Sequence, residues 1–366
     1  MHIRQLGILE RDLWDAFVAQ EPQFALMQSW DWGVFKEKLG WKAFRIAVEA
    51  EGQIVAGAQM LIKPLPGSLA SLAYIPRGPV GNWLDEGILP ALLDALHRLA
   101  RSQQAIFLKI EPPLLNDPAI AQILQQHQFK PSSYTNQPRS TIILDLKQDL
   151  DGISQQIRKR IREYIRFSAN HGVTLRLGGQ EDLPAFFDLI KITAEREQFI
   201  PRLREYYDLQ WQTFSKNGQA VLLMAYYQEQ LLAVHMAFRF GEHAAYFHGG
   251  SRLDFRQLRP NHFLVWEAVK WAKAQGCGTY DLWGIPDEIG QIVSNGEPPP
   301  VPDRTDGLWG VYHFKSGFSK NIIGYIGAYD FVYIPALYPL LANKFINGYM
   351  FEQFAAWMDK FRHKER

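Results

Sequence analysis

At 366 residues the chain is too long for one ordinary hydrophobic core and fits two domains. Hydrophobic residues make up 47% and charged residues 21%, a globular composition that excludes a disordered chain. The formal net charge of +1 excludes nucleic-acid binding through bulk charge, and the single cysteine, Cys277, excludes an intrachain disulfide and a cysteine-based zinc site.

The N-terminus, Met1-His2-Ile3-Arg4-Gln5, has no apolar run of the signal-peptide kind. No stretch reaches the roughly 18 apolar residues of a membrane span, so the protein is expected in the cytoplasm. Phe44–Val48, the turn Glu51-Gly52-Gln53 and Ile54–Ile62 read as a β-hairpin, two alternating apolar runs around a short polar turn. A third strand follows near Leu69–Ile75. A helix from about Gly87 to Ser102 then carries Leu89, Leu92, Leu93, Leu96 and Leu99 on one face. The buried strand Ile106–Ile110 closes the unit before Glu111-Pro112-Pro113.

Asp151–His171 reads as one helix with Ile153, Ile157, Ile161 and Ile165 facing inward. The first pattern then returns. Val221–Tyr226, the turn Gln228-Glu229-Gln230 and Leu231–Phe240 form a second hairpin, and Ala244–His248 a third strand. A helix over Asn261–Gln275 and the strand Thr279–Trp283 complete it. Gly52-Gln53-Ile54-Val55-Ala56 and Glu229-Gln230-Leu231-Leu232-Ala233 align by residue type, which makes an internal repeat the economical reading. Hairpin, third strand, helix and parallel return strand describe an acetyltransferase-type α/β unit. Two such domains in tandem are expected to meet across a cleft, the first over 1–150 plus 320–366 and the second over 151–319. Pro286 to Gly307 reads as a long loop of the lid kind, with Gly310–Phe314 and Gly324–Phe331 as further strands.

The motifs resemble one family, the Fem (FemA/FemB/FemX-like) peptidoglycan-bridge aminoacyltransferases. The matching pieces run nearly the whole chain. They include Ser29-Trp30-Asp31-Trp32-Gly33 with Lys36, Tyr74-Ile75-Pro76-Arg77-Gly78-Pro79-Val80, Thr141–Leu146, Arg162–Arg166 and His171-Gly172-Val173. Later come Pro260-Asn261, Trp266-Glu267-Ala268, Tyr280–Ile285 and Gly310–Phe318. Nothing between Val173 and Val221 is long enough for a coiled-coil arm, so the chain is similar to the compact branch.

The resemblance implies transfer of an amino acid from aminoacyl-tRNA to the stem-peptide amine of a UDP-linked or lipid-linked muramyl-peptide precursor. It implies no cofactor and no metal, and a monomer is expected. An activated ester needs positioning and oxyanion stabilisation more than a covalent nucleophile. Lys315 matches the family lysine that meets the tRNA 3′ end or the oxyanion; a lysine snorkelling at a strand edge is the plainer alternative. Lys36 and Arg202 match the positions that hold the precursor diphosphate, with Tyr206 as a ligand contact and Arg77 as a further anion contact. A solvated helix face is the alternative for Lys36. Glu111 aligns with a cleft carboxylate that could attract or deprotonate the incoming amine, or it simply caps the Glu-Pro-Pro turn.

Ile106 and His248 stand where tyrosines occur in the family, while Tyr246 is retained and is expected on the same strand face as His248. His248 could exchange protons near neutrality or be structural. Arg158, Arg162 and Arg166 form an i,i+4 row that suits RNA backbone or is a solvated basic face. At the C-terminus, Leu337, Leu340, Leu341 and apolar positions as far as Phe361 recur at helical spacing among Lys344, Lys360, Arg362, Lys364 and Arg366. That stretch packs against domain one or lies on the inner membrane face. Two rivals stay open, an acyl-CoA-dependent N-acyltransferase on the same fold and a non-catalytic precursor-binding protein. The turns Arg256–Asn261 and Gly81–Leu84 lack the closely spaced glycines of a pyrophosphate cradle, which disfavours the first.

Overall fold

A computed structural model describes residues 1–65, 67, 69–301, 303–304 and 306–345. The chain forms two compact units: Met1–Glu21, Met27–Gln137 and Tyr325 onward make the first, and Pro22–Leu26 with Pro138–Gly324 the second.

In chain order the first unit has β1 (His2–Gln5), α1 (Arg11–Val18), α2 (Trp30–Lys38), β2 (Lys42–Ala50), β3 (Gln53–Pro64), β4 (Ser71–Pro76) and β5 (Val80–Gly81). It continues with α3 (Leu89–Ser102), β6 (Ala105–Glu111), α4 (Pro118–Gln126) and β7 (Lys130–Pro131). The second unit runs through β8 (Ser140–Asp145), α5 (Leu150–Gln156), α6 (Lys159–Asn170), β9 (Thr174–Gly178), α7 (Leu183–Glu197) and α8 (Arg204–Phe214). It then adds β10 (Ala220–Tyr227), β11 (Gln230–Phe240), β12 (His243–Ser251), α9 (Pro260–Ala274), β13 (Thr279–Gly284), α10 (Asp287–Ser294), α11 (Leu308–Lys315) and β14 (Ile322–Gly324). The chain re-enters the first unit with β15 (Tyr329–Val332) and α12 (Tyr338–Phe345).

The first sheet has the order β1-β2-β3-β4-β6-β15-β7, with β5 beside β3, and the second β14-β8-β13-β12-β11-β10-β9. The repeat extends to backbone detail. Both hairpins turn on two residues with positive φ, Glu51-Gly52 (53° and 80°) and Gln228-Glu229 (45° and 65°). That is the twist-matching hairpin turn, which usually demands Asn or Gly. Both ladders also shift register just before the turn, after Val48↔Ala56 and after Ala225↔Ala233.

Each unit lays its helix across its sheet. Leu92, Leu93 and Leu96 of α3 cluster with Val48, Ala58 and Ile110. Val265, Ala268 and Val269 of α9 cluster with Leu223, Ala233 and Leu282. At roughly 25 cal/mol per Å² of apolar area, such faces are the main source of stability.

Four elements depart from the sequence reading. Residues 308–315 form a helix rather than a strand, a winding in which Tyr312 and Phe314 pack on the core of the second unit and the Tyr312 hydroxyl donates to the Pro300 carbonyl at 3.0 Å. The expected strand over 324–331 is split between the sheets, with Gly327 at φ 88° between the parts. The expected single helix from 151 breaks at Ile157-Arg158, where Ile157 is extended and still buried. The expected loop after Pro286 contains α10. The main break between units falls at Gln137/Pro138 rather than near residue 150, because β8 pairs with β13 and β14 in the second sheet. Of the C-terminal apolar stretch, the positions from Ile346 to Phe361 lie outside the described residues, as do the side chains of Lys344 and Phe345. No helix among the described residues is long and apolar enough to cross a membrane.

Candidate active site

In the second unit the parallel pair β12–β13 is in register only from His243↔Thr279 to Ala245↔Asp281. Just beyond, β13 turns sharply. Asp281 Oδ1 accepts from the Trp283 amide at 2.7 Å and from the Thr141 hydroxyl, and Trp283 takes a left-handed φ of 66°. A non-glycine residue in that conformation is held by its surroundings, here by the Phe247 ring at 4.6 Å and Phe24 at 6.3 Å. This turn presents the Gly284 carbonyl to Lys315, whose ammonium donates to it at 2.8 Å. Lys315 is therefore the last residue of α11, 7% exposed, not a strand-edge lysine.

The Lys315 ammonium lies 5.6 Å from the centre of the Tyr246 ring. That ring stacks at 3.9 Å on His235, which shares a 2.6 Å hydrogen bond with the Tyr280 hydroxyl. Burial pushes Lys315 down to about 7, with the Asp281 carboxylate acting the other way. Burial likewise drives His235 to about 3, reinforced by the Lys315 charge, so the imidazole is neutral. Tyr246 is pushed up to about 12 by burial. The result is a lysine that titrates near neutrality, held by a main-chain carbonyl and aromatic faces. Such a group can stabilise developing negative charge or exchange a proton at working pH.

Tyr246 and His248 do not share a face as expected from alternation. A register shift opposite Met236/Ala237 places Tyr246 against His235, whereas His248 bonds the Gln210 amide oxygen at 2.7 Å and meets Tyr207 at 4.9 Å. A bulge adds one residue to one strand and reverses the pleat beyond it. His248 is pushed down to about 3 by burial and then by the Arg202 charge. Arg202 lies over the Tyr206 ring at 5.5 Å, so Arg202, Tyr206 and His248 form one neighbourhood and Lys315 with Tyr246 another.

In the first unit, Lys36 on α2 lies over Trp41 at 5.0 Å, and Trp41 meets Tyr74 at 6.5 Å. The Tyr74 hydroxyl donates to Glu111. Glu111 is buried at the end of β6, and its other oxygen accepts from the Asn136 amide at 2.5 Å and the Gln137 amide at 3.3 Å. It caps that distant turn rather than its own Glu-Pro-Pro. Burial raises Glu111 above the usual carboxylate range, opposed by the Tyr74 hydroxyl, Lys109 and the two amides. Arg77, buried at φ 47°, lies over the Tyr325 ring at 4.4 Å. Ile106 is wholly buried beside Leu72 and Phe107.

The basic row is divided. Arg162 donates to the Ile157 carbonyl at 2.8 Å and to those of Ser154 and Gln155 at 3.3 and 3.4 Å, closing the end of α5. Arg158 and Arg166 are exposed. His235 carried no functional signal in sequence, and Thr141 and Tyr280 lay in family-matching segments without being given a role. A lone polar residue inside the apolar run of β11 was the one available pointer to His235. No group of His, Cys, Asp or Glu among the described residues is arranged to hold a metal.

Fold and site together define a tandem GNAT-type transferase. Residues 154–289 match the acetyltransferase (GNAT) domain model and residues 9–123 the FemAB family model. The lipid II:glycine glycyltransferase of Staphylococcus aureus (strain MRSA252) is 25% identical over 402 residues, spanning 89% of this chain and 92% of that protein. Its counterpart in Staphylococcus haemolyticus (strain JCSC1435) is 25% identical over 400 residues with the same coverage. The crystal structure of FemX superposes with a TM-score of 0.81 at 24% identity, over 93% of this chain and 100% of that one. A tandem GNAT protein of the clavulanic acid pathway shares the fold more loosely, with a TM-score of 0.52 at 14% identity over 90% of this chain and 98% of its own. The chain is thus similar to Fem proteins over nearly its whole length. Between β9 and β10 it carries only α7, α8 and short turns, without a coiled-coil arm.

Proposed function

We propose that this protein transfers an amino acid from aminoacyl-tRNA to the stem-peptide amine of a lipid-linked peptidoglycan precursor, building the interpeptide bridge. The observation that carries this reading is Lys315, a buried amine lowered to about 7 where β12 and β13 cease to pair. The names of the relatives, lipid II:glycine glycyltransferases, support the acceptor class.

The acceptor amine attacks the ester carbonyl and a C–N bond forms. The carbonyl electrons move onto oxygen, where the Lys315 ammonium stabilises them, and their return expels the ribose hydroxyl, which takes up a proton. In the first unit Glu111 positions the Tyr74 hydroxyl, and the proton shed by the attacking amine balances the one taken up by the ribose oxygen. Lys36 and Arg77 are assigned to precursor anions in the first unit, and Arg202, Tyr206 and His248 to the precursor in the second. Tyr246 is the wall against which Lys315 is held, and Arg158 and Arg166 meet the RNA.

An acyl-CoA donor has less support, because the turn before α9 has no glycine from Arg252 to Pro260, and proline at the first helical position removes an amide. The test is transfer of radiolabelled glycine, alanine or serine from charged tRNA to lipid-linked and soluble precursors. Lys315→Ala and acetyl-CoA serve as controls. Transfer that requires both tRNA and Lys315 is expected. Turnover of acetyl-CoA without tRNA-dependent transfer, or precursor binding alone, would overturn the reading.

A further inference from the structure

Helix α6 carries Lys159, Arg160, Arg162 and Arg166, with Arg158 at its N-cap, against the single acid Glu163. With Arg162 occupied internally, the exposed cations are Arg158, Lys159, Arg160 and Arg166. They do not form an isolated stripe. The short turn Arg256–Leu258 and Arg259 pack beside α6. The Ser168 hydroxyl fastens them there, donating to the Leu258 carbonyl at 2.5 Å and lying 3.1 Å from that of Arg259.

The two elements share one aromatic plate. The Arg259 guanidinium lies 4.3 Å from the centre of the Tyr164 ring and that of Arg160 lies 5.3 Å from it, with the Arg160 Nε also donating to the Tyr164 hydroxyl. His262 meets the same ring edge-on at 5.2 Å. Arg259 adopts a left-handed φ of 57°, a conformation fixed by the turn rather than chosen by the side chain.

From these contacts we infer that α6 and the turn before α9 form one preorganised docking surface for an RNA backbone, centred on Arg160, Tyr164 and Arg259, with Arg256, Arg158 and Arg166 around it. It deepens the tRNA-donor reading and rests on it. Arg158 to Arg166 spans about 12 Å along a helix, long enough to meet more than one phosphate. Guanidinium forks match phosphate oxygens in pairs, and guanidinium and tyrosine planes also accept an unstacked base. A membrane surface fits less well. The large apolar side chain that α6 exposes is Phe167, and it is stacked on His171 at 3.7 Å. An interfacial helix needs a free apolar face.

The test measures binding of the full-length protein to labelled, uncharged bacterial tRNA across a salt series. Wild type is compared with Arg160→Ala/Arg259→Ala, and with Arg98→Ala, an exposed residue of α3, as control. Unfolding midpoints establish that the variants remain folded, and Arg160→Lys/Arg259→Lys keeps the charge should the alanine pair unfold. The alanine pair should bind about tenfold or more weakly, with a log K against log salt slope shallower by roughly 1.5 to 2. The lysine pair should keep most of the slope, and Arg98→Ala should match wild type.

Unchanged affinity and slope in the folded alanine pair overturn the surface. So does loss of binding to phosphatidylglycerol vesicles with tRNA binding intact, which would make it a membrane site. Transfer assays separate this from the broader reading. Wild-type transfer from charged tRNA with an unaltered KM in the alanine pair sinks the surface alone. Patch-dependent tRNA binding without any transfer from charged tRNA sinks the donor reading and leaves the surface standing.

Discussion

Among the described residues each unit buries one lysine, Lys109 within β6 and Lys315 at the end of α11, and the two are treated in opposite ways. Lys109 on β6 is 2% exposed and enclosed by acceptors: Asp330 Oδ1 at 2.9 Å, the Tyr134 carbonyl at 3.0 Å and the Ser132 hydroxyl. Asp330 on β15 is further held by the Tyr338 hydroxyl at 2.8 Å. Lys315 meets a main-chain carbonyl and an aromatic face, while its nearest charge influence, Asp281, is spent on the Trp283 turn. A buried charge with its counterion ties elements together. A buried charge given only a dipole keeps part of its desolvation cost and stays ready to stabilise a charge that appears during a reaction. The same fold thus ties one lysine to a counterion and, in the proposed reaction, leaves the other for chemistry.

The comparison is broken most directly at Lys109. Lys109→Met leaves Asp330 buried without its cation and should lower unfolding free energy by about 3–5 kcal/mol in urea titrations. Lys109→Met with Asp330→Leu should recover most of that loss. A small effect from the single change would mean the pair is not structural. Lys315→Met should do the reverse. Its unfolding midpoint near neutral pH should match or exceed wild type, while kcat for transfer falls by about 10²–10³, the usual cost of removing one oxyanion donor.

The pH dependence sharpens the contrast. Above about 7 the folded state has released the Lys315 proton, whereas the unfolded chain keeps it to about 10.5. The unfolded state then binds more protons, so stability of wild type relative to Lys315→Met should rise with pH between those limits. If the ammonium is the working form, kcat/KM should fall with a midpoint near 7, and Lys315→Arg should move that limb upward. A flat profile would remove Lys315 from the proton inventory. The smallest effect is expected on α6: Arg162→Ala should cost about 1–2 kcal/mol through the lost cap on α5, and Arg166→Ala almost nothing. Equal values would return Arg162 to the exposed row.

Local pattern carries only what is written within a few residues of itself. The two hairpins, the apolar faces of α3 and α9 and the repeat that relates them follow from periods of 2 and 3.6 and from short turns. The family motifs brought Lys36, Arg77, Glu111, Arg202 and Lys315 to notice. Tertiary structure decided the rest, for reasons that lie far away in the chain. Residues 308–315 are rich in aromatic and branched side chains that favour strands, and they wind as a helix because Tyr312 reaches the Pro300 carbonyl and Trp309 reaches Glu288 at 3.1 Å. β8 joins the second sheet and β15 the first through pairings more than a hundred residues away in sequence, a choice no local propensity encodes. The bulge at Tyr246–His248 turned two expected neighbours away from each other, because one inserted residue reverses the pleat. Lys315 acquired its lowered value only where α11, the Gly284 turn and Tyr246 close around it, since desolvation is a property of the packed fold and not of the residue.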